Sequence, residues 1–272
     1  MPKIAVLQMN SGIDPEANFA VIEQALREAR AGGAEILFTP EMSLLLDRNR
    51  KRAAETMATE QYAQFRGRFY DLAMSGQTDL ALGSMPVPLN GGKNANRSTY
   101  FFAKGGEPTF YDKIHMFDVD LASGESWRES NAYEPGKLVV ADPDTPLGTL
   151  GLTVCYDLRF PALFDALGQA KCNAIAVPAA FTKPTGAAHW HVLLRARAIE
   201  ASAFVIAAAQ VGKHEDGRET YGHSLVVDPW GEVLLDMGGE GPGLGFCEID
   251  LDRIAEVRAQ VPSLANRREI PN

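Results

Sequence analysis

Leu150-Gly151-Leu152-Thr153-Val154 delivers Cys155 into Tyr156-Asp157-Leu158-Arg159-Phe160-Pro161. The run before the cysteine is short, apolar and free of charge, which reads as a strand buried on both faces. Pro161 then opens a helical pattern reaching residue 170, and proline suits a first helical turn. Strand, turn and helix form the repeating unit of an α/β sheet. A thiol at the carboxyl end of such a strand stands where ligands collect.

Outward from this unit the alternation continues in both directions. Upstream, residues 3–9 read as a strand, 15–31 as an amphipathic helix stopped by Gly32-Gly33, and 35–38 as a strand running into Thr39-Pro40-Glu41. Ala53, Met57, Tyr62, Phe65, Phe69 and Leu72 predict one long helix over 50–75. Residues 79–84 read as a strand, and 98–103 with 107–111 as a hairpin around Lys104-Gly105-Gly106. Residues 112–135 have no period and predict a long functional loop. Strands follow at 138–141 and 149–154. Downstream come a strand at 174–178, a helix at 187–202 and a strand at 204–209. A hairpin of 224–228 and 232–236 turns at Pro229-Trp230-Gly231, and a strand at 245–249 precedes a helix at 251–260. With no repeat or linker, the pattern predicts one layered α/β domain over residues 1–272.

Composition narrows the function. Hydrophobic residues at 46 % and charged residues at 22 % exclude a disordered or fibrous chain. The net charge of −9 argues against nucleic acid or anionic membranes as partners. Three cysteines make no disulfide framework and fit a reducing compartment. The apolar run near Met1 lacks the features of a signal peptide, and no stretch reaches the ~20 apolar residues of a membrane helix, so a cytoplasmic location is expected. Asn96-Arg97-Ser98 matches a glycosylation acceptor, a reading set aside for want of a secretory signal.

Three strand ends carry reactive groups: Glu41, Lys113 and Cys155. A thiolate attacks carbonyl carbon, a carboxylate can take the thiol proton, and an ammonium can hold the developing oxyanion. Each residue also has an ordinary alternative: a packed cysteine, a surface glutamate, a solvated lysine.

The local sequences add weight to the chemical reading. Pro40-Glu41-Met42, Asp112-Lys113-Ile114-His115-Met116-Phe117-Asp118-Val119 and Cys155-Tyr156-Asp157-Leu158-Arg159-Phe160-Pro161 resemble the three signature blocks of the nitrilase superfamily of carbon–nitrogen hydrolases. The resemblance spans essentially the whole chain. It implies a four-layer α-β-β-α sandwich, with Glu41 as general base, Lys113 as transition-state stabiliser and Cys155 as nucleophile. A second glutamate in the following loop matches Glu129 better than Glu125 or Glu134. The implied chemistry is hydrolysis of an amide through a cysteine thioester, needing no metal or organic cofactor. The backbone N–H of Tyr156 is implied as a second oxyanion donor.

Around the cysteine, Cys-Tyr-Asp-Leu-Arg-Phe-Pro is similar to amidases of small acids rather than to nitrilases or carbamoyl hydrolases. Ala207-Ala208-Ala209-Gln210 and Tyr221-Gly222-His223-Ser224 resemble the deaminated-glutathione amidase branch, with ω-amidases acting on 2-oxoglutaramate as the alternative. Met42-Ser43-Leu44-Leu45-Leu46-Asp47 departs from that branch. Arg159 is a candidate reader of a substrate carboxylate or, alternatively, half of a structural salt bridge. Phe181 and Thr182 are candidate pocket residues. A homodimer or larger homo-oligomer using the 187–202 helix and the C-terminal tail is also implied. A nitrile or carbamoyl hydrolase remains an alternative within enzymes, and a non-catalytic interaction protein the alternative of another class. His189 and His191, two apart on a helix, point apart and predict no metal site. Cys172 and Cys247 read as core residues, Arg195 and Arg197 as holders of loops. The glycines of 238–243 do not open a helix after a strand, so they are no dinucleotide fingerprint.

Overall fold

The computed structural model describes residues 1–120, 124 and 126–268. Its first half runs β1 (Lys3–Gln8), α1 (Pro15–Ala31), β2 (Ile36–Phe38), α2 (Arg50–Met57), α3 (Glu60–Gly76), β3 (Asp79–Pro88), β4 (Asn94–Phe101) and β5 (Thr109–Asp112). A short hairpin, β6 (Asp118–Asp120) and β7 (Ser126–Arg128), leads into a 3-10 turn at Glu129–Asn131. The second half runs β8 (Val140–Thr145), β9 (Gly148–Leu152), α4 (Pro161–Gln169), β10 (Ala174–Ala176), α5 (Lys183–Ala201) and β11 (Phe204–Ala207). It closes with β12 (Val211–Lys213), β13 (Glu219–Tyr221), β14 (Leu225–Val227), β15 (Val233–Asp236), β16 (Gly243–Glu248) and α6 (Asp252–Gln260).

Two six-stranded sheets carry the architecture, ordered β16-β1-β2-β3-β4-β5 and β15-β14-β11-β10-β9-β8. Each has a parallel centre, β1-β2-β3 and β9-β10-β11, flanked by antiparallel strands. The strand period of two explains how they stack. Ile4 and Val6 of β1 share a core with Leu150 and Leu152 of β9, whereas Ala5 and Leu7 face Phe19, Ile22, Phe65 and Phe69 of α1 and α3. The other face of the second sheet is covered by Leu163, Phe164 and Leu167 of α4 and by Trp190 and Leu194 of α5. The layers therefore run α-β-β-α, as the resemblance implied. Met9 bridges Gln210 and Ala179 bridges Ala209, tying the loops at the strand ends together.

Two expectations need correction. The helix expected over 50–75 is two helices broken at Ala58-Thr59: Thr59 turns its hydroxyl onto the Tyr62 N–H and starts α3. Met57 and Tyr62 are five apart, so the apolar stripe slips phase at that point. The loop expected over 112–135 contains the β6–β7 hairpin, its strands too short for a period to register. A further small hairpin, β12–β13, lies within what reads as a loop after residue 209. Helix α5 starts four residues earlier than expected, and Ala58-Thr59 apart, every other element lies within a few residues of its expected place. Cys172 is buried in the core, while Cys247 on β16 is only partly covered.

Candidate active site

Glu41 follows β2 after Thr39-Pro40, and the left-handed backbone of Met42 turns the chain away so that the carboxylate points inward. Lys113 follows β5 directly, and Glu129 opens the 3-10 turn after β7. Cys155 is the third residue beyond β9 and has φ +50°, a left-handed conformation that non-glycine residues adopt at a cost of order 1–3 kcal/mol. Its N–H donates to the Pro178 carbonyl, 2.9 Å away, and so fixes the turn against the next strand end. Asp157 caps the same turn, accepting the Val154 N–H at 2.9 Å. Arg197 of α5 donates to the Leu158 carbonyl at 2.9 Å, and Arg195 reaches the Gly231 carbonyl at 2.7 Å.

These four side chains meet below the strand ends. Lys113 Nζ lies 3.0 Å from Glu41 Oε1 and 2.9 Å from Glu129 Oε2, with all three groups nearly out of water. The second Glu41 oxygen accepts the Ala180 N–H at 2.9 Å, and Glu129 accepts the Phe117 N–H at 2.7 Å. The Cys155 thiol stands beside the Glu41 carboxylate, which accepts its proton, and the Ala180 N–H, which donates toward the sulfur.

Burial alone would raise the pKa of Glu41. The Lys113 ammonium, with hydrogen bonds from Cys155, Lys113 and Asn96, overrides it and holds the carboxyl below its ordinary range. Burial would lower Lys113, but Glu129, Glu41 and Cys155 hold it well above the usual lysine value. For Cys155, burial and the Glu41 charge together push the thiol well up, and Lys113 offsets only part of this. The resting site is thus a neutral thiol against an ionised carboxylate and an ammonium.

Glu41, Lys113, Glu129 and Cys155 line a cavity of about 290 Å³, together with Tyr156, Arg159, Phe181 and Thr182. All eight residues singled out from sequence are therefore in one place. The Arg159 guanidinium lies 3.2 Å from His189 Nδ1 and over the rings of Tyr156 and Phe181; among the described residues it has no carboxylate partner. Glu134 is not among the lining residues, and Glu125 lies outside the described residues.

Several residues escape the sequence reading. Asn96 on β4 donates from one Nδ2 to Glu41 Oε1 at 2.9 Å and to Glu129 Oε1 at 3.0 Å. The two carboxylates fix its amide orientation, because a flipped oxygen would face both. Its Oδ1 is buried without a partner among the described residues. The Asn-x-Ser pattern was its only local signal, and that pattern suggested something else. Arg48, Arg50 and Arg218 also line the cavity, brought there from loops and helix starts with no distinguishing motif.

A family profile described as carbon-nitrogen hydrolase matches residues 3–259. The chain belongs to the carbon-nitrogen hydrolase family. Among curated relatives of this carbon-nitrogen hydrolase, a deaminated glutathione amidase of Synechocystis sp. is 39 % identical over 270 residues, covering 97 % of both chains. The deaminated glutathione amidase of Homo sapiens is 37 % identical, over 98 % of this chain and 83 % of that one. Among solved structures, the Caenorhabditis elegans NitFhit protein superposes with a TM-score of 0.89 at 34 % identity. The match covers 98 % of this chain and 65 % of that longer one. An amidase variant from Nesterenkonia sp. AN1, shown with acrylamide added at its active-site cysteine, gives 0.80 at 25 % identity over 96 % and 98 % of the chains.

Proposed function

We propose that this carbon-nitrogen hydrolase is an amidase that cleaves a side-chain amide of a small carboxylate-bearing substrate, deaminated glutathione foremost. The observation that carries the reading is the convergence of the Cys155 thiol, the Glu41 carboxylate and the Lys113 ammonium in one buried cavity. The names of the relatives at 37–40 % identity support the choice of substrate.

In this mechanism Glu41 takes the Sγ proton as the sulfur attacks the amide carbon. The thiol does not ionise beforehand, because burial and the neighbouring carboxylate disfavour the free thiolate. Lys113 and the Tyr156 N–H stabilise the oxyanion. Glu41 passes the proton to the leaving nitrogen, the C–N bond breaks, and an acyl thioester remains on Cys155. Water, giving its proton to Glu41, attacks the thioester; the acid leaves and the thiol regains its proton. Glu129 keeps the Lys113 ammonium charged and aimed.

The cavity's cations suit an anionic substrate. Arg48, Arg50 and Arg159 line it without a carboxylate partner among the described residues, in a chain whose net charge is −9. A 2-oxo acid bearing an amide supplies the complementary carboxylate, and Arg159 is the reader nearest the nucleophile in sequence. Phe181, whose ring lies 5.2 Å from the Arg159 guanidinium, and Thr182 line the same cavity. Short ω-amides such as 2-oxoglutaramate are the second reading, since they carry the same 2-oxo acid end.

Hydrolysis of either substrate frees 2-oxoglutarate, so the decisive experiment measures that product from both, side by side, with Cys155→Ala as blank. Preference for deaminated glutathione is expected. Preference for 2-oxoglutaramate would move the protein to the ω-amidases, and turnover surviving in Cys155→Ala would overturn the mechanism.

Residues 1–272 act as one domain in this reading, because strand ends of both sheets furnish the site. A homodimer packed through α5 is supported by the exposed Val192 and Ile199, seven residues apart on that helix, and by nearby Trp230. Ile199→Glu should shift the sedimentation of such a dimer to monomer. Three unpaired thiols support a reducing, cytoplasmic setting, and no described helix is long and apolar enough to cross a membrane.

A further inference from the structure

Three side chains outside the cavity converge from three elements. His191 lies on α5, His223 precedes β14, and Asp236 ends β15. The Asp236 carboxylate is held between two imidazoles, with Oδ2 at 3.1 Å from His191 Nε2 and Oδ1 at 2.9 Å from His223 Nδ1. One ligand atom from each residue lies within 4.8 Å of the other two. The residues are 32 and 13 positions apart, so no short motif announces them. His191 is paired with His223, not with His189, which turns to Arg159 instead.

The frame that holds them does not depend on their contacts with one another. The β14–β15 ladder sets Leu225 opposite Asp236, which puts His223 just past the same end. The His223 N–H donates to the Gly238 carbonyl at 2.8 Å, and its own carbonyl accepts the Trp190 indole N–H at 2.7 Å from α5. The Tyr221 ring stacks on the His223 ring at 4.5 Å, and Asp236 Oδ1 also accepts the Gly238 N–H at 2.9 Å. Helix, loop and hairpin are thus pinned around the cluster.

We propose that His191, His223 and Asp236 form a binding site for a divalent transition-metal ion, with Zn²⁺ the best match to the donor set. Two imidazole nitrogens and one carboxylate oxygen are three of the four ligands that tetrahedral zinc takes, at about 2.0–2.2 Å each. Ligand atoms on such a tetrahedron stand roughly 3.3–3.5 Å apart. Asp236 Oδ2 stands 3.1 Å from His191 Nε2 and 3.2 Å from His223 Nδ1, so around this one oxygen the separations need to open by only a few tenths of an ångström. The ionised Asp236 only accepts, so without metal these two nitrogens donate to it; on ligation each imidazole carries its proton on the other ring nitrogen. The side chains are 24 to 34 % exposed, which leaves a way in and a fourth position for water.

A bound ion would clamp α5 to the β14–β15 hairpin. The first turn of that helix carries Thr185 in the cavity wall, and His189 on the same helix touches Arg159. The site is therefore a structural clamp on one wall of the cavity, outside the reacting groups.

The test is calorimetric titration of the reduced full chain with Zn²⁺, for wild type, His191→Ala, His223→Ala, Asp236→Asn and Cys155→Ala, with a thermal melt of each. One ion per chain is expected at micromolar affinity or tighter, accompanied by a higher melting temperature. Binding should be at least tenfold weaker in each of the three cluster variants and unaltered in Cys155→Ala. His191→Ala places a good helix former on a partly exposed helical position, so this variant reports on binding rather than folding. Wild type without saturable binding below millimolar Zn²⁺ would overturn the proposal. So would full binding in His191→Ala, or binding that disappears with Cys155.

Discussion

Tyr111 donates its phenolic hydroxyl to Asp157 Oδ2 across 2.7 Å, with both side chains buried. Tyr111 is two residues before Lys113 and Asp157 two residues after Cys155, so this bond joins the segments that present the ammonium and the thiol. Asp157 completes the joint by accepting the N–H and Nδ1 of His115 at 3.0 and 2.7 Å. Burial and the Asp157 charge push the Tyr111 hydroxyl far above its ordinary range, so it remains a donor.

Tyr111→Phe keeps the ring and removes the bond, leaving Asp157 one donor short and the Ile114 N–H without its acceptor. The expected loss of stability is roughly 1–3 kcal/mol. kcat should fall while KM changes little. Denaturant unfolding checks the first part, and a melt identical to wild type would show the joint to be idle.

Lys113→Met should invert the pH response of the site. In the wild type Glu41 is held below its ordinary value, so its contribution is present above about pH 4.3 and lost as acid protonates it. Without the ammonium, burial and the Glu129 charge push Glu41 up. The native state then binds the extra proton, and stability falls as pH rises. At pH 7 the variant should be about 3–5 kcal/mol less stable, the cost of a buried charge without its partner. Part should return at pH 5. Equal losses at both pH values in chemical denaturation would contradict this.

Asn96→Ala removes the one amide shared by the two carboxylates. Losing hydrogen bonds to charged groups at about 1.5–3 kcal/mol each translates into a kcat lower by about tenfold or more. Because Asn96 helps hold Glu41 low, the acid limb of the pH–rate profile should also move to higher pH. A merely structural asparagine would leave that limb in place.

Arg159→Lys keeps a positive charge but loses the planar fork that suits a carboxylate. KM for a carboxylate-bearing amide should rise by at least tenfold with kcat less affected. For the matching amide without the carboxylate, the two enzymes should be alike. An unchanged KM would assign Arg159 to its contacts with His189, Tyr156 and Phe181 alone.

The strands and helices of the sandwich are legible because each sheet has a parallel centre of apolar runs and helices such as α1 and α3 carry an apolar stripe. Glu41, Lys113 and Cys155 are legible for a related reason: each stands within three residues of a strand end, inside a motif. Asn96 is not, because it lies within β4 and its partners are 55 and 33 residues away. Nor is the β6–β7 hairpin, whose three-residue strands cannot show a period, although it aims Glu129 and sets Trp127 over the cavity. The His191, His223 and Asp236 cluster forms only through tertiary pairing. Sequence reports what neighbours along the chain impose, and each of these depends on distant residues.

Glu41 is braced from far downstream: its side chain accepts the Ala180 N–H and its backbone carbonyl accepts the Gln210 amide at 3.0 Å. A ribosome making this chain from its first residue therefore releases Glu41, Lys113 and Cys155 long before the braces exist. Contacts of such sequence separation form late. The nascent polypeptide is expected to lack hydrolytic power until residue 210 has emerged and docked, near the end of synthesis.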